Sequence, residues 1–303
     1  MLWLVGQKGM LGSEVASILD RDGIPWVGTD AEVDITSRDA VTAFATEHRP
    51  DWILNCAAYT AVDRAEDEEG LAFAVNAEGP ENLARAAAEL ASPAASASGP
   101  ATPSTRIIHI STDYVFSGDA SAPIPESATP APRSAYGRSK AAGEARLASA
   151  NPNHFIVRTA WLYGPGGRNF VSTMLGLMRE RDELTVVADQ RGTPTYAADL
   201  AEAILRLVES DSHDYGASHY TNAGEASWYD FAVAIREEAL ARGMIRNKTP
   251  IRPVTTAEYP TKAVRPAYSV LSRERMAAVP GVRISPWRDA LGRYLDRVKK
   301  ERE

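Results

Sequence analysis

The chain has 303 residues, of which 44% are hydrophobic and 24% are charged, as is ordinary for a globular protein. Its net charge is −7 and is spread along the chain, whereas a groove that binds nucleic acid needs a stripe of basic residues. The sequence therefore predicts no nucleic-acid partner. The single cysteine, Cys56, cannot form an internal disulfide, and the spacing of the five histidines does not predict a structural metal site.

The first two thirds of the chain alternate between strand and helix patterns. Short apolar or β-branched runs predict strands at Leu2–Val5, Trp26–Thr29, Trp52–Asn55, Arg106–Ile110 and Phe155–Thr159. Longer patterns between them predict helices at Leu11–Asp20, Asp39–Glu47, Gly70–Leu90 and Ala135–Ala148. This alternation predicts right-handed βαβ units and therefore an α/β fold with a Rossmann-type, doubly wound parallel sheet. Ligands of such sheets bind at the carboxyl ends of the strands.

The beginning of the chain bears on its location in the cell. The sequence opens directly on the first predicted strand and shows neither the basic nor the long apolar region of a secretory signal. No run approaches the roughly 20 apolar residues that span a bilayer. We therefore expect a cytoplasmic protein with no membrane partner.

A glycine-rich turn, GQKGMLG, joins the first strand to the first helix. Its glycines, Gly6, Gly9 and Gly12, let the backbone approach a pyrophosphate closely. The helix N-terminus at Met10 and Leu11 favours the negative charge of that group. A tight strand–helix connection would also use glycines. The position at the first βα junction nevertheless predicts a dinucleotide-binding site.

Asp30 ends the second strand, about twenty residues after the glycines, where a carboxylate can bind the adenosine ribose hydroxyls. The alternative is a helix cap or a turn residue. A carboxylate there repels a 2′-phosphate and favours NADH, and no basic residue adjoins Asp30 in the sequence. Because acidic residues at this position do not always exclude the phosphorylated cofactor, both NADH and NADPH stay open.

Two further segments are expected to flank the cofactor. Asp34 and Ile35 follow the second strand after a short loop and are placed beside the adenine, with a capped loop as the alternative. Ala58, Tyr59 and Thr60 follow the third strand. The small residues around them let the ribose and pyrophosphate pass close to the backbone.

The catalytic residues are predicted after the fourth strand. That strand leads into Thr112, and the following helix carries Tyr136 and Lys140 four residues apart, on one helical face. The ammonium of Lys140 is expected to lower the pKa of Tyr136, so that the phenol exchanges a proton near neutral pH. Thr112 can hydrogen-bond a substrate carbonyl, or cap the strand end. A Tyr–Lys pair on a solvated helix face is common by chance, and only its position favours catalysis.

The remainder of the chain is richer in loops. Helices are predicted at Phe170–Arg181, Ala198–Glu209 and Trp228–Ala241. We assign residues 1–160 to an NAD(P)-binding Rossmann domain, with a mobile surface insertion at 91–105 that is rich in Ala, Ser and Pro. Residues 161–303 are expected to form mainly a smaller C-terminal substrate-binding lobe, with some segments returning to the Rossmann sheet.

Taken together, the motifs resemble the dTDP-4-dehydrorhamnose reductase family of extended short-chain dehydrogenases/reductases. The resemblance runs from residue 1 to about 295 and leaves out the insertion. Several of the motifs are shared across the superfamily, and it is their order and the second-lobe segments that narrow the match. The segments are GQKGMLG from Gly6, NCAAYTAVD from Asn55, STDYVF from Ser111, YGRSK from Tyr136, RTAWLY from Arg158, DQRGTP from Asp189 and YPTKAVRP from Tyr259.

The resemblance implies an activity and a catalytic set. NAD(P)H would reduce the C4 keto group of dTDP-4-dehydro-β-L-rhamnose to give dTDP-β-L-rhamnose, with Thr112, Tyr136 and Lys140 as the catalytic triad. The partner would be a nucleotide-sugar substrate. Thr112, Asp113 and Trp161 would contact the sugar, although Trp161 could equally be a core residue.

The resemblance also concerns the diphosphate of the nucleotide-sugar substrate and the formation of a homodimer. Arg265 would lie near the nucleotide diphosphate, with a solvated loop charge as the alternative. Some members of the family form a homodimer through Mg²⁺ held by glutamates. Glu14 resembles one such ligand, but Ala198 stands near the place where another acidic ligand would be expected. The sequence therefore assigns no metal ligands and leaves a Mg²⁺-linked homodimer as an open alternative.

Two other functions stay open on the sequence. A nucleotide-sugar epimerase or dehydratase of the same superfamily regenerates its bound cofactor, and stoichiometric consumption of NAD(P)H would separate it from a reductase. A non-catalytic regulatory module, like the regulatory subunit of methionine adenosyltransferase, shares the fold and many motifs. The intact Thr–Tyr–Lys set favours an enzyme.

Overall fold

A computed structural model describes residues 1–90, 105–246 and 248–301. The predicted insertion at 91–105 lies outside these ranges except for Thr105. That residue is buried, and its hydroxyl donates to the Pro50 carbonyl at 2.8 Å. Within the described ranges, every helix is too short or too polar to cross a membrane.

The described residues form short strands separated by helices. The strands are β1 (Leu2–Val5), β2 (Trp26–Thr29), β3 (Trp52–Asn55), β4 (Arg106–Thr112), β5 (His154–Thr159), β6 (Leu162–Tyr163), β7 (Leu184–Val187), β8 (Arg191–Gly192), β9 (Thr195–Tyr196), β10 (Gly216–His219), β11 (Ala226–Ser227) and β12 (Ile251–Val254). The helices are α1 (Met10–Arg21), α2 (Arg38–His48), α3 (Glu69–Phe73), α4 (Gly79–Leu90), α5 (Ala135–Ala150), α6 (Phe170–Glu180), α7 (Ala197–Glu209), α8 (Trp228–Ala241), α9 (Glu274–Ala277) and α10 (Trp287–Lys300).

The central sheet has six strands in the order β10-β5-β4-β3-β1-β2, and every neighbouring pair is parallel. Both faces are covered. Leu2 and Leu4 of β1 pack into one apolar cluster, and Trp3 and Val5 pack into another on the opposite face. The strand order reverses between β1 and β3, and that switch point opens a crevice at the carboxyl ends of the strands. The predicted doubly wound Rossmann-type sheet is confirmed.

The helix predicted at Gly70–Leu90 is interrupted. A π-helical turn at Ala74–Glu78 separates α3 from α4. Asn76 in this turn is buried; its amide binds both backbone groups of Tyr59 and donates to the Ser139 hydroxyl at 3.0 Å. The turn therefore joins the loop after β3 to α5. Helical periodicity cannot reveal it, because the cause is a long-range contact.

The second lobe has its own core. Tyr163, Phe231 and Trp287 belong to an apolar cluster built from α6, α8 and α10. The segments between them return to the central sheet. Leu200 and Ile204 of α7 pack into the same cluster as Leu2 and Leu4, and β10 forms the edge of the sheet beside β5.

Candidate active site

Two neighbouring cavities lie at the carboxyl ends of the central strands. The first has a volume of about 540 Å³ and is lined by the glycine turn, the end of β2 and the loop after β3. The second, about 500 Å³, extends from the glycine turn to the ends of β4 and β5. We call them the adenosine cavity and the catalytic cavity. The first contains Gly6, Gly9, Asp30, Asp34, Ile35 and Ala58, and the second contains Gly9, Met10, Leu11, Gly12, Ala58, Thr60, Thr112, Asp113, Tyr136, Lys140 and Trp161.

The glycine turn forms a cradle in which there is no space for side chains. Gly6 has a φ of +79°, and a Cβ there would lie 2.8 Å from the Ala57 nitrogen. A Cβ at Gly12 would lie 2.1 Å from the Gly6 carbonyl oxygen. The backbone can therefore meet a ligand at the N-terminus of α1, where unpaired N–H groups and the helix dipole favour phosphate. The residues present fit a bound dinucleotide.

We expect Gly12→Ala to raise the dissociation constant of NADPH about tenfold or more, measured by fluorescence titration. The new methyl group must displace the Gly6 carbonyl, which distorts the turn at the phosphate end. Gly176→Ala in α6 is the matched control, because no atom lies within 4 Å of its Cβ position. An unchanged affinity in the Gly12 variant would contradict this assignment.

Asp30 is held at the rim of the adenosine cavity. Its Oδ2 accepts from the backbone N–H of Lys8 at 2.9 Å. The ammonium of Lys8 lies 3.7 Å from the carboxylate of Glu32. The sequence shows no basic neighbour of Asp30, but the fold brings this lysine beside it. The rim of this cavity at Asp30 therefore has charges of both signs.

The other residues expected near the cofactor differ in how they are placed. Asp34 accepts from the N–H and the hydroxyl of Thr36, so its carboxylate caps a loop, as the alternative interpretation proposed. Tyr59 lines neither cavity. Its hydroxyl donates to Glu68 at 2.6 Å, which directs the phenol away from the cleft.

Helix α5 positions the predicted catalytic pair. The Ser134 hydroxyl caps the helix by accepting from the Gly137 N–H at 3.1 Å. A Cβ at Gly137 would lie 2.3 Å from the Tyr114 carbonyl oxygen, so the first turn packs tightly against the end of β4. Tyr136 and Lys140 lie on this turn and the next, and both line the catalytic cavity.

The pKa of Tyr136 does not shift in the predicted direction. Burial raises this pKa, the charge of Asp113 raises it further, and a hydrogen bond with Thr112 opposes the change in part. Lys140 does not lower it, because its amine lies 3.0 Å from Nε2 of His109 and donates to the Ile110 carbonyl at 2.7 Å. The expectation that Lys140 favours the tyrosinate is wrong for this structure. Tyr136 is a protonated phenol at neutral pH.

The pKa of Lys140 is also shifted from its ordinary value. The side chain is fully buried, and burial lowers its pKa to about 8. The negative charge of Glu144 opposes this shift. The amine therefore changes charge close to physiological pH, which is unusual for a lysine and common at functional sites.

Unpaired polar atoms line the catalytic cavity. The Thr112 hydroxyl donates to Oδ1 of Asp113 at 3.0 Å. Oδ2 of Asp113 and the hydroxyls of Ser111 and Thr159 are buried and have no hydrogen-bond partner within the described residues. Burial raises the pKa of Asp113 to about 6, although nearby hydroxyls oppose the shift. Because buried polar groups are normally paired, these atoms indicate a polar ligand.

Trp161 lies between the two lobes in an unusual conformation. Its φ is +49°, which is rare for a bulky residue and tends to mark functional sites. The indole stacks on Trp228 with ring centroids 3.6 Å apart. Gly192 lies beneath it, where a Cβ would be 2.6 Å from the indole ring. Trp161 lines the catalytic cavity and also packs against the core of the second lobe. Its contact with a sugar stays a prediction.

Arg265 is part of a bridge between segments. It donates to the Tyr114 hydroxyl and to the Asp63 carboxylate, both at 2.9 Å. It lines a separate cavity of about 280 Å³ that also contains Phe170 and Trp228. Arg265 is therefore not a free solvated charge. Its role toward a diphosphate stays a prediction.

The residues around Glu14 do not fit a magnesium site. Both carboxylate oxygens of Glu14 accept from the guanidinium of Arg297 at 2.8 Å. A cation of the protein therefore occupies the coordinating face of this glutamate. Within the described ranges, no three His, Cys, Asp or Glu side chains are grouped to hold a metal.

The sequence reasoning missed several residues at the site. His109 and Asn55 are both fully buried beneath Lys140. Arg168 lines the catalytic cavity near the glycine turn. A histidine inside an otherwise apolar strand, in register with an asparagine on the next strand, is a signal that could have identified the first two.

The whole chain is similar to known proteins. Residues 1–300 match the family described as RmlD substrate binding domain. The dTDP-4-dehydrorhamnose reductase of Aggregatibacter actinomycetemcomitans is 40% identical over 296 residues, 96% of each chain. A protein of Streptomyces antibioticus, named as a probable dTDP-4,6-dihydroxy-2-methyloxan-3-one 4-ketoreductase, is 42% identical over 96% of this chain and 93% of its own.

One of the similar solved structures is a complex with NADP. The dTDP-4-dehydrorhamnose reductase of Bacillus anthracis, in complex with NADP, has a TM-score of 0.87 to this chain. The two sequences are 37% identical, and the alignment covers 98% of each chain. The similarity therefore includes both lobes and not only the dinucleotide-binding sheet.

Proposed function

The chain belongs to the dTDP-4-dehydrorhamnose reductase family, and from this premise we propose that it reduces the C4 keto group of dTDP-4-dehydro-β-L-rhamnose to give dTDP-β-L-rhamnose. Nucleotide sugars and nicotinamide cofactors are cytoplasmic metabolites, and we propose that the enzyme acts there. One observation carries the proposal: Tyr136, Thr112 and Lys140 line a single cavity with the glycine turn.

When bound, NADPH or NADH supplies the hydride for the carbonyl carbon. The glycine turn and the α1 N-terminus would hold the phosphates, and the rim formed by Asp30 and Lys8 would meet the adenosine ribose. The mixed charges at this rim support use of both cofactors, because the ammonium of Lys8 can attract a 2′-phosphate that Asp30 repels.

Tyr136 is the proton donor in this proposal. Reduction of a ketone leaves an alkoxide oxygen that takes up one proton. A buried phenol with a raised pKa is fully protonated at neutral pH and still gives its proton readily to a stronger base such as an alkoxide. The raised pKa therefore suits the reductive direction. The Thr112 hydroxyl beside it would orient the carbonyl oxygen.

The remaining cavity residues would hold the sugar. Asp113 has an unpaired carboxylate oxygen that can accept from a sugar hydroxyl. The Trp161 edge would pack against the apolar face of the sugar ring. Arg265 would bind the nucleotide diphosphate, and it is already oriented by Tyr114 and Asp63.

The test follows absorbance at 340 nm with NADPH and dTDP-4-dehydro-β-L-rhamnose, together with a panel of dTDP- and UDP-linked 4-keto sugars. We expect one NADPH to be consumed for each sugar reduced. Product formation without net consumption of NADPH would contradict a reductase and indicate an epimerase or dehydratase.

A second candidate substrate is supported by the Streptomyces antibioticus relative, whose name describes a 4-ketoreductase of another dTDP-linked sugar. The chemistry at C4 would be the same, and only the sugar contacts would differ. The ratio of kcat/KM for the two sugars in the panel separates these candidates.

A further inference from the structure

A chain of buried side chains connects the amine of Lys140 to the end of β3. Nε2 of His109 lies 3.0 Å from Nζ of Lys140, and Nδ1 of the same ring lies 3.1 Å from Nδ2 of Asn55. Oδ1 of Asn55 accepts from the Ala57 N–H at 3.0 Å. Asn55, His109 and Lys140 are each at most 1% exposed.

The Ala57 N–H fixes the orientation of the Asn55 amide. A backbone N–H can only donate, so the atom facing it must be the amide oxygen. The amide nitrogen then donates to Nδ1 of His109. A neutral imidazole has one hydrogen, and since Nδ1 accepts, that hydrogen must lie on Nε2.

The Nε2 hydrogen faces the amine of Lys140. An ammonium has three donors and no lone pair, so contact with an N–H at 3.0 Å would be a donor–donor contact. A neutral amine can accept from Nε2–H and still donate to the Ile110 carbonyl at 2.7 Å. The hydrogen-bond geometry is therefore that of the uncharged amine.

We propose that His109, held in one tautomer by Asn55, stabilises the neutral form of Lys140 and thereby sets the pH at which this amine takes up its proton. His109 is then a positioning residue that acts through Lys140. The inference rests on the proposed function in one respect. In that function we propose that Lys140, which lines the catalytic cavity, donates to the nicotinamide ribose of the bound cofactor.

The other titratable groups near Lys140 leave this role to His109. Cys56, after β3, is a partly buried thiol whose pKa is raised to about 12 by desolvation, so it is uncharged. Glu144 on α5 favours the ammonium, but its charge is bound by Arg158 of β5. Tyr136 is protonated. Burial and Lys140 hold the pKa of His109 well below its usual value, so the ring stays neutral.

The first test is direct. A ¹⁵N NMR spectrum of histidine-labelled protein distinguishes protonated from unprotonated ring nitrogens, and the His109 signals are assigned by their loss in His109→Phe. We expect hydrogen on Nε2 and none on Nδ1. Hydrogen on Nδ1 would overturn the proposal. This measurement needs no substrate or cofactor, so its outcome is independent of whether the proposed reaction is found.

The second test gives the sign of the effect. NADPH affinity is titrated against pH, and we expect it to weaken as Lys140 loses its proton, near pH 8 in the unmodified protein. His109→Phe removes the Nε2 donor without changing charge, and should move the midpoint up by about one pH unit. A histidine that accepted from an ammonium would give the opposite shift. A midpoint that falls or stays unchanged overturns the proposal.

Two further variants separate this role from general disruption. His154→Phe replaces a partly buried histidine at the start of β5 whose Nδ1 lies 2.7 Å from the Asn151 carbonyl oxygen, and it should leave the midpoint unchanged. In Asn55→Asp, a carboxylate would accept from both Ala57 and Nδ1. It should move the hydrogen of His109 to Nδ1 in the NMR spectrum and raise the midpoint. Retention of hydrogen on Nε2 together with an unchanged midpoint in this variant would count against Asn55 as the controlling residue.

Discussion

Tyr136→Phe is expected to lower kcat for ketone reduction by roughly 10² to 10⁴, the range that a positioned general acid contributes. The buried phenol is the proton donor that we propose for the catalytic cavity, and phenylalanine keeps its ring contacts but provides no proton. The edge contact with Tyr114, with centroids 5.5 Å apart, should survive. Steady-state assays at saturating substrate give kcat, stopped-flow measurement isolates the hydride-transfer step, and fluorescence titration should show nearly unchanged NADPH affinity.

Tyr114→Phe is the matched control for this prediction. Tyr114 lines the same cavity and is partly buried, but its hydroxyl accepts from Arg265. Loss of one such hydrogen bond is worth about 1 kcal/mol, so activity should fall by no more than about tenfold. Equal losses in the two variants would mean that Tyr136 is not the proton donor.

Glu144→Gln is expected to lower the free energy of unfolding by about 3–5 kcal/mol, because it leaves the Arg158 guanidinium buried without a counter-charge. The pair is bidentate, with distances of 2.9 and 2.7 Å, and the two side chains are only 5% and 6% exposed. It ties α5, which carries Tyr136 and Lys140, to β5. Urea unfolding monitored by circular dichroism measures the change.

An exposed ion pair provides the comparison. Glu209 pairs with Arg206 on α7, and the two side chains are 45% and 44% exposed. Glu209→Gln should change the unfolding free energy by less than about 1 kcal/mol. If both variants lose the same small amount, the buried pair does not anchor the catalytic helix.

The Rossmann half could be predicted from the sequence because its signals are local. Apolar runs between helical patterns predicted the ends of β1 to β5 to within two residues. The glycine turn lies between β1 and α1, as predicted. Strand β10 could not be found in the same way. The run Gly216–His219 has little apolar character and becomes a strand only because β5 provides a partner.

The sequence predicted where the site lies better than it predicted the pKa values of the residues there. Spacing placed Tyr136 and Lys140 on one helical face, and they do line one cavity. The pKa directions of Tyr136 and Lys140 depend mainly on burial, and the amine of Lys140 contacts His109, which is distant in sequence. Spacing along a helix predicts which side chains share a face, but not whether an amine is directed to a phenol or to an imidazole.

The ion pair between Glu14 and Arg297 makes the charge beside the glycine turn depend on a distant helix, α10. Glu14 lies two residues after the glycine turn and is only 4% exposed, so without Arg297 its buried negative charge would oppose phosphate binding there. The neutralising arginine lies on α10, 283 residues later in the chain than Glu14. The docking of α10 against α1 therefore neutralises the charge beside the first βα junction, so a variant that loosens α10 should weaken phosphate binding at a turn to which α10 contributes no residue.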